Sequence, residues 1–334
     1  VGSGSTGNMA EGYASAGFAL KYGVTDQLDL AIFMNKPFGA NADYEGGFYD
    51  GLSATWDSTQ IAAIAKYQAA PGVSVYGGLR AIQSSAVVAI PDQLTRASFA
   101  QAAVNPDLSP AQQAAAAAAA GSPAGSLDYT AETDTNTQIG YVVGAAYERP
   151  EIALRVALTY ESGVTHDFES RESMPIAMAD NAPGEFDIEM PQSLTLDFQS
   201  GVAADTLVFG SVRWSEWSVW EVRPPVFEAV TNGRVTGLDN DVFTYRLGVG
   251  RRINDQFSAF GRVTYEKGNG GEASRLAPTD GSISYGIGGT YTMDNVKLTG
   301  GIEYAVLGDA TDGTPVEFAD NTALGFGLSV GFSF

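Results

Sequence analysis

The sequence contains no cysteine, so neither a disulfide framework nor a thiolate site is open to it. Histidine occurs once, at His166, which leaves no imidazole pair for a zinc site. Basic residues are scarce. The 18 Lys and Arg stand against 39 Asp and Glu, and a net charge of −21 offers phosphates little to bind, so no nucleic-acid partner is expected. No apolar run reaches the roughly 18 residues that a membrane helix requires. No secretory signal is present at Val1-Gly2-Ser3-Gly4-Ser5, the expectation for a mature or truncated product. What remains is unusual for a soluble acidic protein: 40 glycines and 11% aromatics, with only 17% charge. Glycine permits kinks and close packing in a curved sheet, and aromatics supply the girdles of a membrane barrel.

Periodicity decides the class. Near the end of the chain, Leu324, Phe326, Leu328, Val330, Phe332 and Phe334 alternate with Ala323, Gly325, Gly327, Ser329, Gly331 and Ser333. A strand sends alternate side chains to opposite faces, so one face is apolar and the other small and polar. The pattern recurs over 152–161, 257–266 and 296–305, where the polar face carries charges of both signs in mid-strand. Such a face suits a wet lumen and the apolar face suits lipid. Tyrosine repeatedly ends the apolar face, at Tyr22, Tyr67, Tyr147, Tyr160, Tyr265, Tyr291 and Tyr304, as an interfacial belt requires. The expected fold is all-β: one antiparallel transmembrane β-barrel over residues 1–334, in a bacterial outer membrane, facing its lipid and lipopolysaccharide.

Connections agree with that class. Strands are expected near 10–24, 27–38, 55–69, 72–88, 135–148, 151–165, 191–203, 206–220, 240–253, 256–268, 281–292, 296–308 and 321–334. Short links alternate with long ones at 39–54, 89–134, 166–190, 221–239, 269–280 and 309–320, as periplasmic turns alternate with outer loops. Single-chain bacterial barrels have even strand numbers. Thirteen strands therefore suggest a 14-stranded barrel whose first strand precedes Val1. The acids Asp43, Glu45, Asp50, Asp167, Glu169, Glu172, Asp180, Glu185 and Asp187 fall in the loops, where solvation explains them better than a calcium site. Within 89–134, Ser109-Pro110 followed by Gln112 and the alanines to Ala120 has the cap and propensity of a helix, and Pro91 to Val104 is a second candidate. Two such helices could frame an apolar groove over the barrel mouth, or the alanine tract could be a spacer.

Three segments carry a resemblance. Asn35-Lys36-Pro37-Phe38-Gly39 stands at a strand end, Met190-Pro191-Gln192-Ser193-Leu194 enters a strand, and Val212-Arg213-Trp214-Ser215-Glu216-Trp217-Ser218 closes one. In this order they resemble the long-chain fatty-acid transporter family of the outer membrane, the FadL family, which includes aromatic-hydrocarbon channels. The terminal Gly331-Phe332-Ser333-Phe334 fits the general signal read by the barrel assembly machinery. The family's N-terminal hatch with its Asn-Pro-Ala motif is absent here; Asn105-Pro106 lies in an outer loop instead. The resemblance implies passive uptake of hydrophobic molecules such as long-chain fatty acids or aromatic and aliphatic hydrocarbons. Capture at the outer loops would be followed by lateral exit beside a kinked third strand. That strand corresponds to 27–38, and Asn35, Pro37 and Gly39 are the gate candidates. Proline and glycine could interrupt its ladder, or simply begin the outer loop.

A carboxylate ligand in a low-dielectric lumen needs a cationic partner. The inward candidates are Lys66, Arg80, Arg155, Arg213, Arg246, Arg262 and Lys297, most of which would pair with inward acids such as Asp29, Glu161, Asp197, Glu266 and Glu303. Arg213 and Arg262 are favoured as ligand-binding residues, with apolar inward neighbours Leu207, Phe209 and Phe260, and Phe33 elsewhere on the wall. Catalysis is not expected. His166, at the start of an outer loop beside Asp167, has no positioned serine and reads as a surface residue. No metal or cofactor is expected, and the chain should act as a monomer. The alternatives are a general diffusion porin, which the apolar inward residues Phe33, Leu207 and Phe260 oppose, and a structural or adhesive barrel.

Overall fold

The structure, a computed structural model, describes residues 5–10, 12–314 and 316–334. Residues 1–4 of the opening segment and Glu11, inside the expected first strand, lie outside them. Thirteen long strands follow one another in a single antiparallel sheet: β1 (Phe18–Thr25), β2 (Leu28–Asn35), β3 (Ser53–Ala70), β4 (Val73–Ile90), β5 (Asn136–Arg149), β6 (Leu154–Glu161) and β7 (Ser193–Ala203), then β8 (Thr206–Ser215), β9 (Val242–Arg252), β10 (Phe257–Glu266), β11 (Ser282–Met293), β12 (Val296–Leu307) and β13 (Thr322–Phe332). Each pairs with the next in chain order, including β6 with β7 across a long insertion. Among the described residues β1 pairs only with β2, and β13 only with β12.

Most of these strands have 8 to 12 residues, close to the roughly 9–11 that cross a bilayer. Their alternation sorts side chains by face. On β13, Phe326 and Leu328 are each 75% exposed, and the residue between them is glycine. Leu20 on β1, Leu247 on β9 and Ile287 on β11 continue the same exposed apolar surface. A belt of this extent is far larger than the few hundred Å² a soluble monomer shows, and lipid is the solvent that it fits. Tyr22, Tyr67, Tyr147, Tyr265, Tyr291 and Tyr304 are exposed on that surface, while the Tyr160 hydroxyl turns to Gln192 and donates to its side chain at 2.6 Å.

At one end the links are turns of two to four residues. Gly72 shows what such a turn demands: its φ is +75°, and a Cβ there would lie 2.6 Å from the Glu148 carbonyl oxygen. At the other, loop end, β3 and β4 run on for 18 residues each. The first strand starts at Phe18, not near residue 10, and residues 150–152 form a 3-10 turn where β6 was expected to begin.

The segment 166–190 is not an irregular loop. Val164–Met174 and Ala179–Met190 form a hairpin at the loop end that belongs to the same sheet, joined to the top of β4 through the short strand Tyr129–Thr133. The alanine-rich tract is helical. α1 (Asp92–Ala102) and α2 (Pro110–Ala120) pack as a pair, and Ser109 caps α2 in a capping box with Gln112. Arg96 ties the pair together, with a bidentate bridge to Asp92 and donated bonds to the carbonyls of Ala120, Ser122 and Pro123. A third helix, α3 (Pro225–Thr231), lies within 221–239, which has no helical alternation to announce it. These loops bury a core of their own, with Tyr44, Tyr49, Leu52, Leu94, Leu127, Tyr129, Met174 and Phe227 at its centre.

Candidate functional site

The three motif segments, distant in sequence, meet at the loop end. Phe38 of the first packs edge-on against Trp217 of the third, with ring centroids 5.9 Å apart. Gln192 of the second donates to the Glu216 carboxylate at 2.6 Å, and the Glu216 amide donates to the Gln192 carbonyl. Asp241 then clamps the third segment, accepting from the Trp214 indole at 2.9 Å and the Ser218 hydroxyl at 2.6 Å. These bonds fix Trp217, which faces Trp220 at 6.3 Å.

Around this junction lies a second apolar cluster of Trp56, Ile82, Val164, Phe168, Ile188 and Met190, with Phe186, Trp217 and Trp220 packed on it. Its rings touch in series, Trp56 to Phe168 at 5.7 Å and Phe168 to Phe186 at 6.2 Å. Next to it is a partly open cavity of about 100 Å³ between the tops of β3 and β4, the hairpin and the chain near α3. Trp56, Ala86, Phe186, Trp220, Val222 and Leu276 are among its walls, and none of its lining residues carries a charge.

His166 belongs to this cluster and is fully buried, contrary to the expectation of a surface residue. It stacks on Phe168 at 5.3 Å, and its Nδ1 lies 3.0 Å from the Asn136 side-chain oxygen. Burial pushes the imidazole down to about 4, against the weaker opposite pull of Asp167. The folded chain therefore keeps His166 neutral where an unfolded chain protonates it near 6.5. Its contribution, roughly 3 kcal/mol, is complete above pH 6.5 and is lost as pH falls toward 4. Tryptophan fluorescence is expected to report loosening of the cluster on acidification between those values. A His166→Phe variant should lose that response, and an unchanged profile in the variant would count against the assignment.

Below the cluster the lumen wall is charged. Arg80, 3% exposed, donates to the Ser162 carbonyl, to Gln60 at 3.3 Å and to Glu161 at 3.4 Å. Arg213 reaches the other Glu161 oxygen at 3.5 Å and Ser193 at 3.3 Å. One carboxylate thus sits between two guanidiniums. Arg262 pairs with Glu303, which also accepts from Ser284 at 2.5 Å. Lys66 and Arg155 share Glu148.

Toward the turn end the lumen widens into a chamber of about 1120 Å³, lined by Leu207, Phe209, Phe260 and Arg262 among others. The aromatic rings lie flat along the wall because their neighbours are glycines. A Cβ on Gly248 would sit 2.4 Å from the Phe209 ring, and one on Gly288 the same distance from Phe260. The structure therefore brings Leu207, Phe260 and Arg262 to one chamber. Arg213 stands apart, in the Glu161 group, and Phe33 is half-buried on β2, six strands from Leu207 in the sheet order.

The ladder between β2 and β3 is broken at Lys36–Phe38. Asn35 faces Gln60 and Gly39 faces Asp57, so three residues stand opposite Ser58 and Thr59. Pro37 has no N–H to give to a ladder. The Ser58 hydroxyl patches the gap, donating to the Phe38 carbonyl at 2.6 Å and accepting from its amide at 3.1 Å. Beyond the gap the strand resumes as Gly39–Asp43, so Pro37 interrupts a strand and does not begin a loop.

Sequence reasoning passed over Trp56, Trp220 and the buried face of the hairpin. The signal for the hairpin was period-two acid: Glu185, Asp187 and Glu189 alternate with Phe186, Ile188 and Met190.

Comparison with known proteins gives the geometry its family. Among solved structures, a FadL homologue of Pseudomonas aeruginosa superposes with a TM-score of 0.72 at 12% identity, covering 99% of this chain and 78% of the other. The CymD monoaromatic hydrocarbon channel gives 0.60 at 16% identity, over 96% and 83%. The Pseudomonas putida toluene transporter TodX gives 0.60 at 13% identity, over 87% and 77%. No curated relative matches the sequence. Residues 2–326 match the profile of the family described as outer membrane protein transport protein (OMPP1/FadL/TodX). The chain belongs to that family, and it is a β-barrel of the outer membrane.

Proposed function

We propose that the protein is a passive channel for hydrophobic small molecules, which enter at the loop end, occupy the lumen and leave sideways through the wall beside Lys36–Phe38. The uncharged cavity walled by Trp56, Phe186 and Trp220 carries this reading. A cavity of about 100 Å³ is of the same order as the roughly 150 Å³ apolar cavity that takes up benzene in another protein. Its position above the charged wall makes it the first apolar stop for a molecule arriving at the loops. The chamber lined by Leu207, Phe260 and Arg262 is the second, and Arg213 with Arg80 leaves one guanidinium in excess of Glu161 for an acidic headgroup. Phe33 extends the apolar wall on the β2 side. Three structures of this architecture concern uptake of hydrophobic compounds by their printed names: one monoaromatic hydrocarbon channel and two toluene transporters.

Filling the upper cavity is expected to weaken capture. Ala86 lines it, and Ala86→Leu adds three heavy atoms to a space of about 100 Å³. Toluene binding should weaken about tenfold, the equivalent of 1.4 kcal/mol, with the barrel otherwise unchanged. Native mass spectrometry of the full-length protein with toluene, or with the detergent or acyl chain it retains, reads the result. Retention at the wild-type level in Ala86→Leu would remove the cavity from the route.

A further inference from the structure

The upper cavity and the gap in the wall are neighbours. Ala40, on the strand that resumes just beyond Lys36–Phe38, belongs to the cavity lining and pairs with Trp56. Between the two spaces stand three aromatic rings in series. Phe38 of the gap meets Trp217 edge-on, with the ring planes at 83°, and Trp217 meets Trp220 of the cavity wall in the same way at 84°. Trp217 therefore touches the gap on one side and the cavity wall on the other.

What holds this indole differs from what holds the chain that carries it. The backbone on either side is pinned, through Glu216 to Gln192 and through Ser218 to Asp241. The half-buried Trp217 side chain has no such tie. Among the described residues only the Trp214 indole donates a hydrogen bond, to Asp241 at 2.9 Å, while those of Trp56 and Trp220 are shut off from solvent. Trp217 also lines a further, partly open cavity of about 270 Å³, whose walls include Leu238, Val242, Glu266, Lys267 and Asp280. That exceeds the roughly 150 Å³ in which another protein takes up benzene, and its carboxylates are acceptors for an indole N–H. The ring thus has a space to turn into, and turning breaks edge-on ring contacts that are individually weak.

Resting on the reading of the gap as the exit, we infer that the Trp217 side chain is the gate between the upper cavity and the gap. With its ring between Phe38 and Trp220 the passage is shut. With the ring swung into the 270 Å³ cavity the passage is open, and the backbone stays in place. Phe38, freed of its edge-on partner, then gives way to the passing molecule. The open arrangement is a minor state, on the order of 1–10% of molecules.

The chain has four tryptophans, so fluorotryptophan labelling gives four fluorine resonances in the full-length protein in nanodiscs, assigned by replacing each Trp with Phe. Relaxation dispersion is expected to show microsecond-to-millisecond exchange at Trp217 and none at Trp214, whose indole Asp241 clamps. Thr279 is an exposed residue of the 270 Å³ cavity. Thr279→Phe fills that space, and it should quench the exchange. It should also lower uptake of radiolabelled toluene, by cells carrying the protein in their outer membrane, at least about threefold. Trp217→Ala removes the gate and should raise that uptake by up to about tenfold, the reciprocal of a 10% open state. If Trp217→Ala fails to fold, the dispersion data for the wild type and Thr279→Phe decide alone. Absence of exchange at Trp217, equal exchange at Trp214, or uptake unchanged in both variants while deletion of Pro37 lowers it would overturn the gate and leave the exit standing. Uptake unchanged in the Pro37 deletion as well would overturn the exit, and the gate with it.

Discussion

Deletion of Pro37 is expected to reduce uptake of a hydrophobic compound at least about tenfold while the barrel still folds, equivalent to raising the rate-limiting barrier by about 1.4 kcal/mol. The reason is register. Lys36, Pro37 and Phe38 face only Ser58 and Thr59, so the chain has one residue too many for a continuous ladder. Removing it lets the Asn35–Gln60 pairing run unbroken into that of Gly39 with Asp57, and an N–H replaces the missing donor. The gap in the wall closes with no side chain added to the lumen. Ser58 loses its task as a patch, and the Lys36–Asp57 ion pair has to rearrange. Heat-modifiable electrophoretic mobility reports folding, and flux of a labelled hydrophobic compound into liposomes reports transport. Unchanged flux through a folded deletion variant would mean that the gap is not an exit.

Replacing Glu172 with alanine is expected to have the largest structural effect of any single change at the loop end. Its carboxylate is fully buried and accepts from the Tyr129 hydroxyl at 2.9 Å and from the first amides of α3, Val226 at 3.1 Å and Phe227 at 3.3 Å. Deleting it strands three buried donors, each worth about 1–3 kcal/mol. The partners span Tyr129–Thr133, the hairpin and α3, so the loss should release α3 locally. The barrel below, held by its own ladders, should persist. Hydrogen exchange over 221–239 should rise by orders of magnitude, and that segment should become the first site of proteolytic cleavage. Glu172→Gln keeps one acceptor oxygen and should fall between the wild type and the alanine variant in both measurements. Protection unchanged in the alanine variant would show that α3 docks by apolar contact alone, through Phe227 against Tyr129 at 4.8 Å.

What the sequence disclosed depended on whether a residue's environment is set locally. The membrane strands were legible because lipid on one side and lumen on the other impose alternation residue by residue, as on β13. Ser109 and Gln112 announced α2 because a capping box is a local device. Pro37 lacks a donor wherever it stands, so it pointed to a broken ladder or to the start of a loop without choosing between them. The hairpin at 164–190 was missed because its buried face carries His166, Ser170 and Glu172 among the apolar residues, so hydrophobicity did not alternate cleanly. His166 itself could not be placed, because its burial comes from Trp56 and Phe168, and Trp56 is more than 100 residues away in sequence. Arg213 and Arg262 were grouped by inward facing and by the apolar inward neighbours on their strands. The chain separates them, because Glu161 holds one and Glu303 the other.

The most direct measurement places the full-length protein in a planar bilayer and in liposomes, and records ion conductance and hydrophobic flux side by side. Flux of a small hydrophobic compound well above that of empty liposomes, lowered in Ala86→Leu and in the Pro37 deletion, with little steady ion current, is the expected result. A large, stable ion conductance with no hydrophobic flux above the empty-liposome level would contradict it, and would make the chamber an aqueous pore.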